Sequence, residues 1–274
     1  MIAETGHAYR IGGDEFCGLV DAGHCSDDLV KSACAALSER GESFSVGSSY
    51  GRVLIPDEAP NAELALQLAD QRMFEHKQTR STIAKRQTHD VLVRILDERE
   101  PELLAHVRGV AEMARDVAVR LGLSGEQLDE IVRAAELHDI GKVAIPDAIL
   151  HKPGALTVQE WVFMRSHTVL GERILSAAPA LRPVASLVRS THERWDGRGY
   201  PDGLAGEAIP LGARIIFVCD SLSAMTSPRS FREALSLEDA FEELRRCSGA
   251  QFDAVVVDVL VGEVLTGSAV LEVA

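Results

Sequence analysis

Five apolar helical stripes between residues 100 and 225 are each interrupted, on the inward face, by a histidine, an aspartate or both. Leu103, Val107, Val110, Ala114, Val117 and Leu121 recur at three- and four-residue spacing, and His106 lies on that stripe. Glu102 precedes His106 by one helical turn and shares its face. His138-Asp139 closes the next stripe, with His138 on the side of Ile131, Ala134 and Ala135. His167 interrupts Phe163, Leu170 and Ile174; His192 follows Val188 by four; Asp220 follows Ile216 by four. A fold that obeys these stripes must gather imidazoles and carboxylates in one helical core. Buried without partners, such groups are costly. Metal ions at their centre would satisfy all of them together. A donor set of His and Asp without thiolate favours iron, manganese or zinc over a Cys-type structural zinc. Any one of these residues alone would read as an ordinary core or surface group; the set of five reads as a site.

Around this core the punctuation predicts two segments. From about residue 88 the chain reads as helical, with elements near 126–138, 157–177, 180–192, 209–226 and 236–248. Thr157 and Glu160 form a capping-box pattern, and Gly141, Pro146, Pro153-Gly154 and Gly197–Gly206 mark the gaps. Residues 1–80 mix signals. Ala8–Ile11 and Phe16–Val20 flank a tight Gly12-Gly13-Asp14-Glu15 turn, Asp27–Leu37 reads as a helix, Ser43–Leu54 as a strand and Asn61–Lys77 as an amphipathic helix. The polar run Lys77–Arg86 is the predicted junction, with a continuous helix as one form it takes. The fold class expected is therefore α+β: a partial α/β segment followed by an all-α bundle.

A net charge of −14 argues against long nucleic acid as a partner, because phosphate tracking needs clustered Lys and Arg. A small phosphorylated ligand stays open, provided metal ions supply positive charge. Ala213–Val218 and Ala254–Leu260, the longest apolar runs, are too short to span a bilayer, and Met1–Arg10 lacks a secretory layout. The five scattered cysteines read as reduced core thiols. Together these predict a cytoplasmic protein without a membrane segment. His7, His24, His76, His89 and His151 read as surface residues.

The stretch His138-Asp139-Ile140-Gly141-Lys142, with Ile145-Pro146, Lys152-Pro153-Gly154 and Ser166-His167, resembles the HD superfamily of metal phosphohydrolases. His192-Glu193-Arg194-Trp195-Asp196-Gly197-Arg198-Gly199-Tyr200-Pro201 is similar to the HD-GYP subfamily. Pro210, Asp220, Arg229, Arg232 and Gln251-Phe252-Asp253 extend the resemblance over roughly residues 88–262, within an expected domain of 88–265. It implies hydrolysis of cyclic di-GMP to pGpG and onward to GMP. It also implies metal ligands at Glu102, His106, His138, Asp139, His167, His192 and Asp220. Two divalent ions are expected, iron or manganese first and zinc as the alternative. Catalytic roles fall to His138, Asp139 and Lys142, and substrate contacts to Lys142, Arg229, Arg232 and Tyr200. Thr191 departs from the pattern, which usually has a second histidine there, so two ions are expected rather than three. Ser223 stands where an aspartate is common.

Arg10-Ile11-Gly12-Gly13-Asp14-Glu15-Phe16, with Ala69-Asp70-Gln71-Arg72-Met73-Phe74 and Lys77, resembles the second half of a GGDEF diguanylate cyclase domain. This implies a truncated GGDEF-like domain over residues 1–80 without cyclase activity. The partners expected are cyclic di-GMP, GGDEF-domain proteins and a second copy of the chain. The competing readings are a catalytically silent receptor or scaffold for cyclic di-GMP, and a phosphohydrolase for another nucleotide.

Overall fold

The computed structural model describes residues 6–40, 45–100, 103–227 and 233–265. The chain divides into two compact units, Met1–Ala84 and Lys85–Ala274.

In the first unit β1 (Gly6–Gly12) pairs antiparallel with β2 (Glu15–Val20) through the two-residue loop Gly13-Asp14. Gly13 has φ +50°, a left-handed conformation that suits a tight hairpin and that other residues resist. Helix α1 (Asp27–Ala36) starts at Ser26, whose hydroxyl accepts from the Leu29 N–H. The short strands β3 (Glu39–Arg40) and β4 (Ser45–Val46) form a second two-stranded ladder. The strand expected over Ser43–Leu54 thus shrinks to Ser45–Val46 among the described residues. Its remainder lies along α2 (Ala62–Arg99) instead: a Cβ at Gly51 would sit 1.9 Å from the Ala69 carbonyl oxygen. Arg72 ties the same segment down, donating to the Arg52 carbonyl and forking onto Glu58. Residues 77–86 are helical, as part of α2.

The second unit is built from α3 (Leu103–Arg120), α4 (Gly125–Leu137), α5 (Asp147–Leu150), α6 (Val158–Arg165), α7 (His167–Ser176), α8 (Arg182–Arg189), α9 (Leu211–Thr226), α10 (Leu237–Arg246) and α11 (Ala254–Leu265). Its apolar core joins Val110, Ala114 and Val117 of α3 to Ile131 and Leu137 of α4, Val188 of α8, Ile215, Ile216 and Leu222 of α9, and Leu260 of α11. Each fully buried aliphatic chain of this size contributes about 1.5–3 kcal/mol relative to exposure. The α3 stripe is the one expected. The apolar run Ala254–Leu260 is the body of α11.

Two expected helices end early. Residues 157–177 break at Ser166, whose hydroxyl donates to the Phe163 carbonyl at 2.6 Å, so α6 and α7 are separate. Phe163 consequently turns outward and is 56% exposed rather than sharing an inward face with His167. The helix expected to reach residue 192 stops at Arg189. Among the cysteines only Cys219 is buried; Cys17, Cys25, Cys34 and Cys247 are half-buried, which corrects their reading as core thiols. His89 is also not a surface group: its Nε2 lies 2.9 Å from Glu136 Oε2, and little of its side chain meets solvent. His76 is half-buried against Tyr50. No helix among the described residues is long and apolar enough to cross a membrane.

Candidate metal centre

The donors converge, but from helix ends more than from helix interiors. His106 projects from the first turns of α3 and Asp220 from the middle of α9. His138 is the residue that ends α4, and Asp139 follows it into a 3-10 turn, Ile140–Ala144. His167 opens α7, and His192 lies just past α8. A helix end lets a side chain turn away from the cylinder axis, so four donors reach one point from three elements.

They form two triads. His106, His138 and Asp220 can each offer one ligand atom within 4.8 Å of the others, and so can Asp139, His167 and His192. Asp139 stands between the triads: its Oδ2 is 3.5 Å from His138 Nε2 and its Oδ1 is 3.6 Å from His167 Nε2. Asp220 Oδ1 is 3.1 Å from His106 Nε2 and 3.8 Å from His138 Nε2.

The imidazoles are oriented for ligation. His138 Nδ1 lies 2.7 Å from the Ala135 carbonyl and His167 Nδ1 lies 2.7 Å from the Met164 carbonyl. A carbonyl only accepts, so each Nδ1 carries the proton and each Nε2 presents a lone pair to the aspartates. His167 Nε2 is buried and has no hydrogen-bond partner. A buried, unpartnered nitrogen beside a carboxylate is what a metal ion would satisfy, and the all-His/Asp donor set fits a divalent transition metal.

Electrostatics keep the donors in their ligating forms. Burial opposes ionisation of Asp139, but Lys142, His138 and His167 outweigh it and hold the carboxyl well below the ordinary range. Asp220 is likewise held low, burial being overcome by the bond from His106 and by His138 and His192. Burial, reinforced by His167, pushes His192 down to about 3, so this imidazole stays neutral. Lys142 does not sit on a continuing helix. The 3-10 turn brings its Nζ 2.6 Å from Asp139 Oδ2 instead. Tyr200 stacks on His192, with centroids 5.1 Å apart and planes 14° apart.

Thr191 belongs to neither triad. Its hydroxyl donates to the Val188 carbonyl at 2.9 Å. Glu102, Arg229 and Arg232 lie outside the described residues.

Two supporting residues had no assigned role in the sequence reading. Ser223 Oγ is 2.8 Å from His106 Nδ1, one turn past Asp220 on α9. It anchors the outer nitrogen so that Nε2 faces Asp220. Ser223→Ala is expected to weaken metal binding roughly tenfold to hundredfold, as loss of an outer partner of a ligating histidine does. Ser223→Asp should retain it. Metal titration read by elemental analysis checks this, and an unchanged affinity in the alanine variant would remove the role. Glu193, 2% exposed, accepts from the Asp202 and Gly203 N–H groups at 2.6 and 3.0 Å and so pins the Gly197–Gly206 loop. Arg189 forks onto Asp202 to hold the same loop. The signal for Glu193 was its place directly after a donor histidine; its burial was not readable.

A family model described as HD domain matches residues 90–256. A cyclic di-GMP phosphodiesterase of Thermotoga maritima is 41% identical over 171 residues, covering 62% of this chain and 46% of the relative. The cyclic di-GMP phosphodiesterase response regulator RpfG of Xanthomonas campestris is 42% identical over 190 residues, 69% of this chain and 49% of its own length. A 3'3'-cGAMP-specific phosphodiesterase of Vibrio cholerae is 40% identical over 171 residues, 62% of this chain and 33% of its own. This chain spans less than half the length of each of these relatives.

Proposed function

The chain belongs to the HD domain family, and on that premise we propose that it is a metal-dependent phosphodiesterase hydrolysing cyclic di-GMP to pGpG and onward to GMP. The observation that carries this reading is the pair of buried His/Asp triads joined at Asp139. Divalent ions held by His106, His138, Asp220, Asp139, His167 and His192 would supply water activation and charge neutralisation at the phosphoryl group. Iron and manganese suit these donors best, with zinc as the alternative.

The chain's own residues do the rest. The Asp139 carboxylate stays ionised against its burial. The ammonium of Lys142 spends one N–H on Asp139 and keeps two for a phosphoryl oxygen. Tyr200, stacked on His192, fixes that ring and closes one side of the site. Arg229 and Arg232 are assigned here as further phosphate contacts on the strength of the resemblance.

The relative named for 3'3'-cGAMP favours a second reading, in which the mixed cyclic dinucleotide is the substrate. One experiment separates them. Purified protein is incubated with cyclic di-GMP or 3'3'-cGAMP, with iron(II) under anaerobic conditions or with manganese, and products are resolved by chromatography. Release of pGpG or GMP at the higher kcat/KM from cyclic di-GMP supports the first reading; a preference for 3'3'-cGAMP supports the second. Binding without product would instead support the silent receptor. For residues 1–80 the reading remains a partial GGDEF-like domain. It is supported by the Gly13-Asp14 hairpin, in which Arg10 donates twice to the Gly13 carbonyl.

A further inference from the structure

A ladder of rings and one guanidinium leads outward from the second triad. Tyr200 covers His192, and Arg165 covers Tyr200 with its Cζ 5.2 Å from the ring centroid. One turn earlier on α6, Trp161 lies under the other side of the same guanidinium at 5.9 Å. Trp161 is 48% exposed, a large aromatic surface left open beside a polar site. Among the described residues no carboxylate pairs with Arg165, although the protein carries a net charge of −14. The rest of α6 offers no reason of packing for the tryptophan, because the helix contributes no buried side chain.

An open indole face and an unpaired, ring-stacked guanidinium recognise flat, electron-rich, anionic ligands. Aromatic rings stack nucleobases, and arginine donates from its edge to purine acceptors or phosphate oxygens. We propose that Trp161 and Arg165 form a shelf for one purine base of the substrate. Trp161 supplies the face and Arg165 the hydrogen-bonding edge, with Tyr200 linking the shelf to the triad. This inference rests on the phosphodiesterase reading above and adds the residues that hold the base.

The test is steady-state hydrolysis of cyclic di-GMP by the metal-loaded full chain and its variants, with ligand quenching of tryptophan fluorescence as a second readout. Trp161→Ala and Arg165→Ala should each raise KM roughly tenfold or more, and lower kcat far less, as loss of a base-stacking partner does. Trp161→Phe should keep most of the affinity while losing the quenching signal. Phe163→Ser, equally exposed on the same helix but pointing away from the ladder, should behave as wild type. Unmoved KM in both alanine variants would overturn the shelf, as would an equal effect of Phe163→Ser. Absence of hydrolysis by the wild type would instead remove the functional reading beneath it.

Discussion

Asp139→Ala is expected to abolish metal loading and turnover while leaving the helical content intact. The side chain is buried, 4% exposed, and its two oxygens face different triads. Its loss therefore removes the one carboxylate that stands between them. It also strips the Lys142 ammonium of its partner, leaving a cation beside three imidazoles where a divalent ion must bind. Repulsion then replaces attraction at the same place. A fall in kcat/KM of at least about a thousandfold, equivalent to about 4 kcal/mol of transition-state stabilisation, is the expected scale. Asp139 lies in a turn between α4 and the Ile140–Ala144 segment, so no helix depends on its side chain. Elemental analysis, far-UV circular dichroism and product chromatography on one preparation check all three parts. A variant with normal metal content and normal turnover would sink the ligand assignment.

That expectation was legible before any coordinates, because periodicity alone placed His106, His138, His167, His192 and Asp220 inward. What periodicity did not reveal was the manner of arrival. A 3.6-residue pattern run through His138 keeps the helix going and puts Lys142 one turn on. The chain instead tightens into a 3-10 turn, and Lys142 reaches Asp139 by a three-residue step. His192 was likewise read as the last turn of a helix that stops at Arg189. In both cases the pattern reports which way a residue faces, not whether the backbone is still helical. Ser223 shows a different limit. As a residue type it suggested a weakened site, whereas its position gives it the bond to His106 Nδ1. Side-chain partners across 117 residues of sequence leave no periodic trace. The strand expected over Ser43–Leu54 failed for a third reason. Alternation marks a segment with two unlike faces, and here α2, not a neighbouring strand, covers one of them.

Gly141→Ala is the second large effect, and it acts on the backbone that brings the donors together. A Cβ at residue 141 would lie 1.8 Å from the His167 carbonyl oxygen and 2.7 Å from the Gly171 nitrogen. Both are main-chain atoms at the start of α7, so no side chain can swing aside. The contact exists because the turn after Asp139 is pressed directly onto the element that carries His167. One added methyl must push these two apart, which strains the packing and pulls Asp139 away from His167 at the same time. Overpacking of this kind destabilises by about 3 kcal/mol or more. For a unit of this size that corresponds to a melting temperature lower by roughly 6–12 °C. Metal content should fall with it, since the second triad is split. Gly109→Ala is the matched comparison. It lies within α3 with nothing within 4 Å of the added methyl, and alanine there should stabilise by about 0.5–1 kcal/mol through helix propensity. Thermal melts of the two variants should therefore move in opposite directions. If Gly141→Ala melted within about two degrees of the wild type and kept its metal, the close approach of the turn to α7 would not be what holds the triads together.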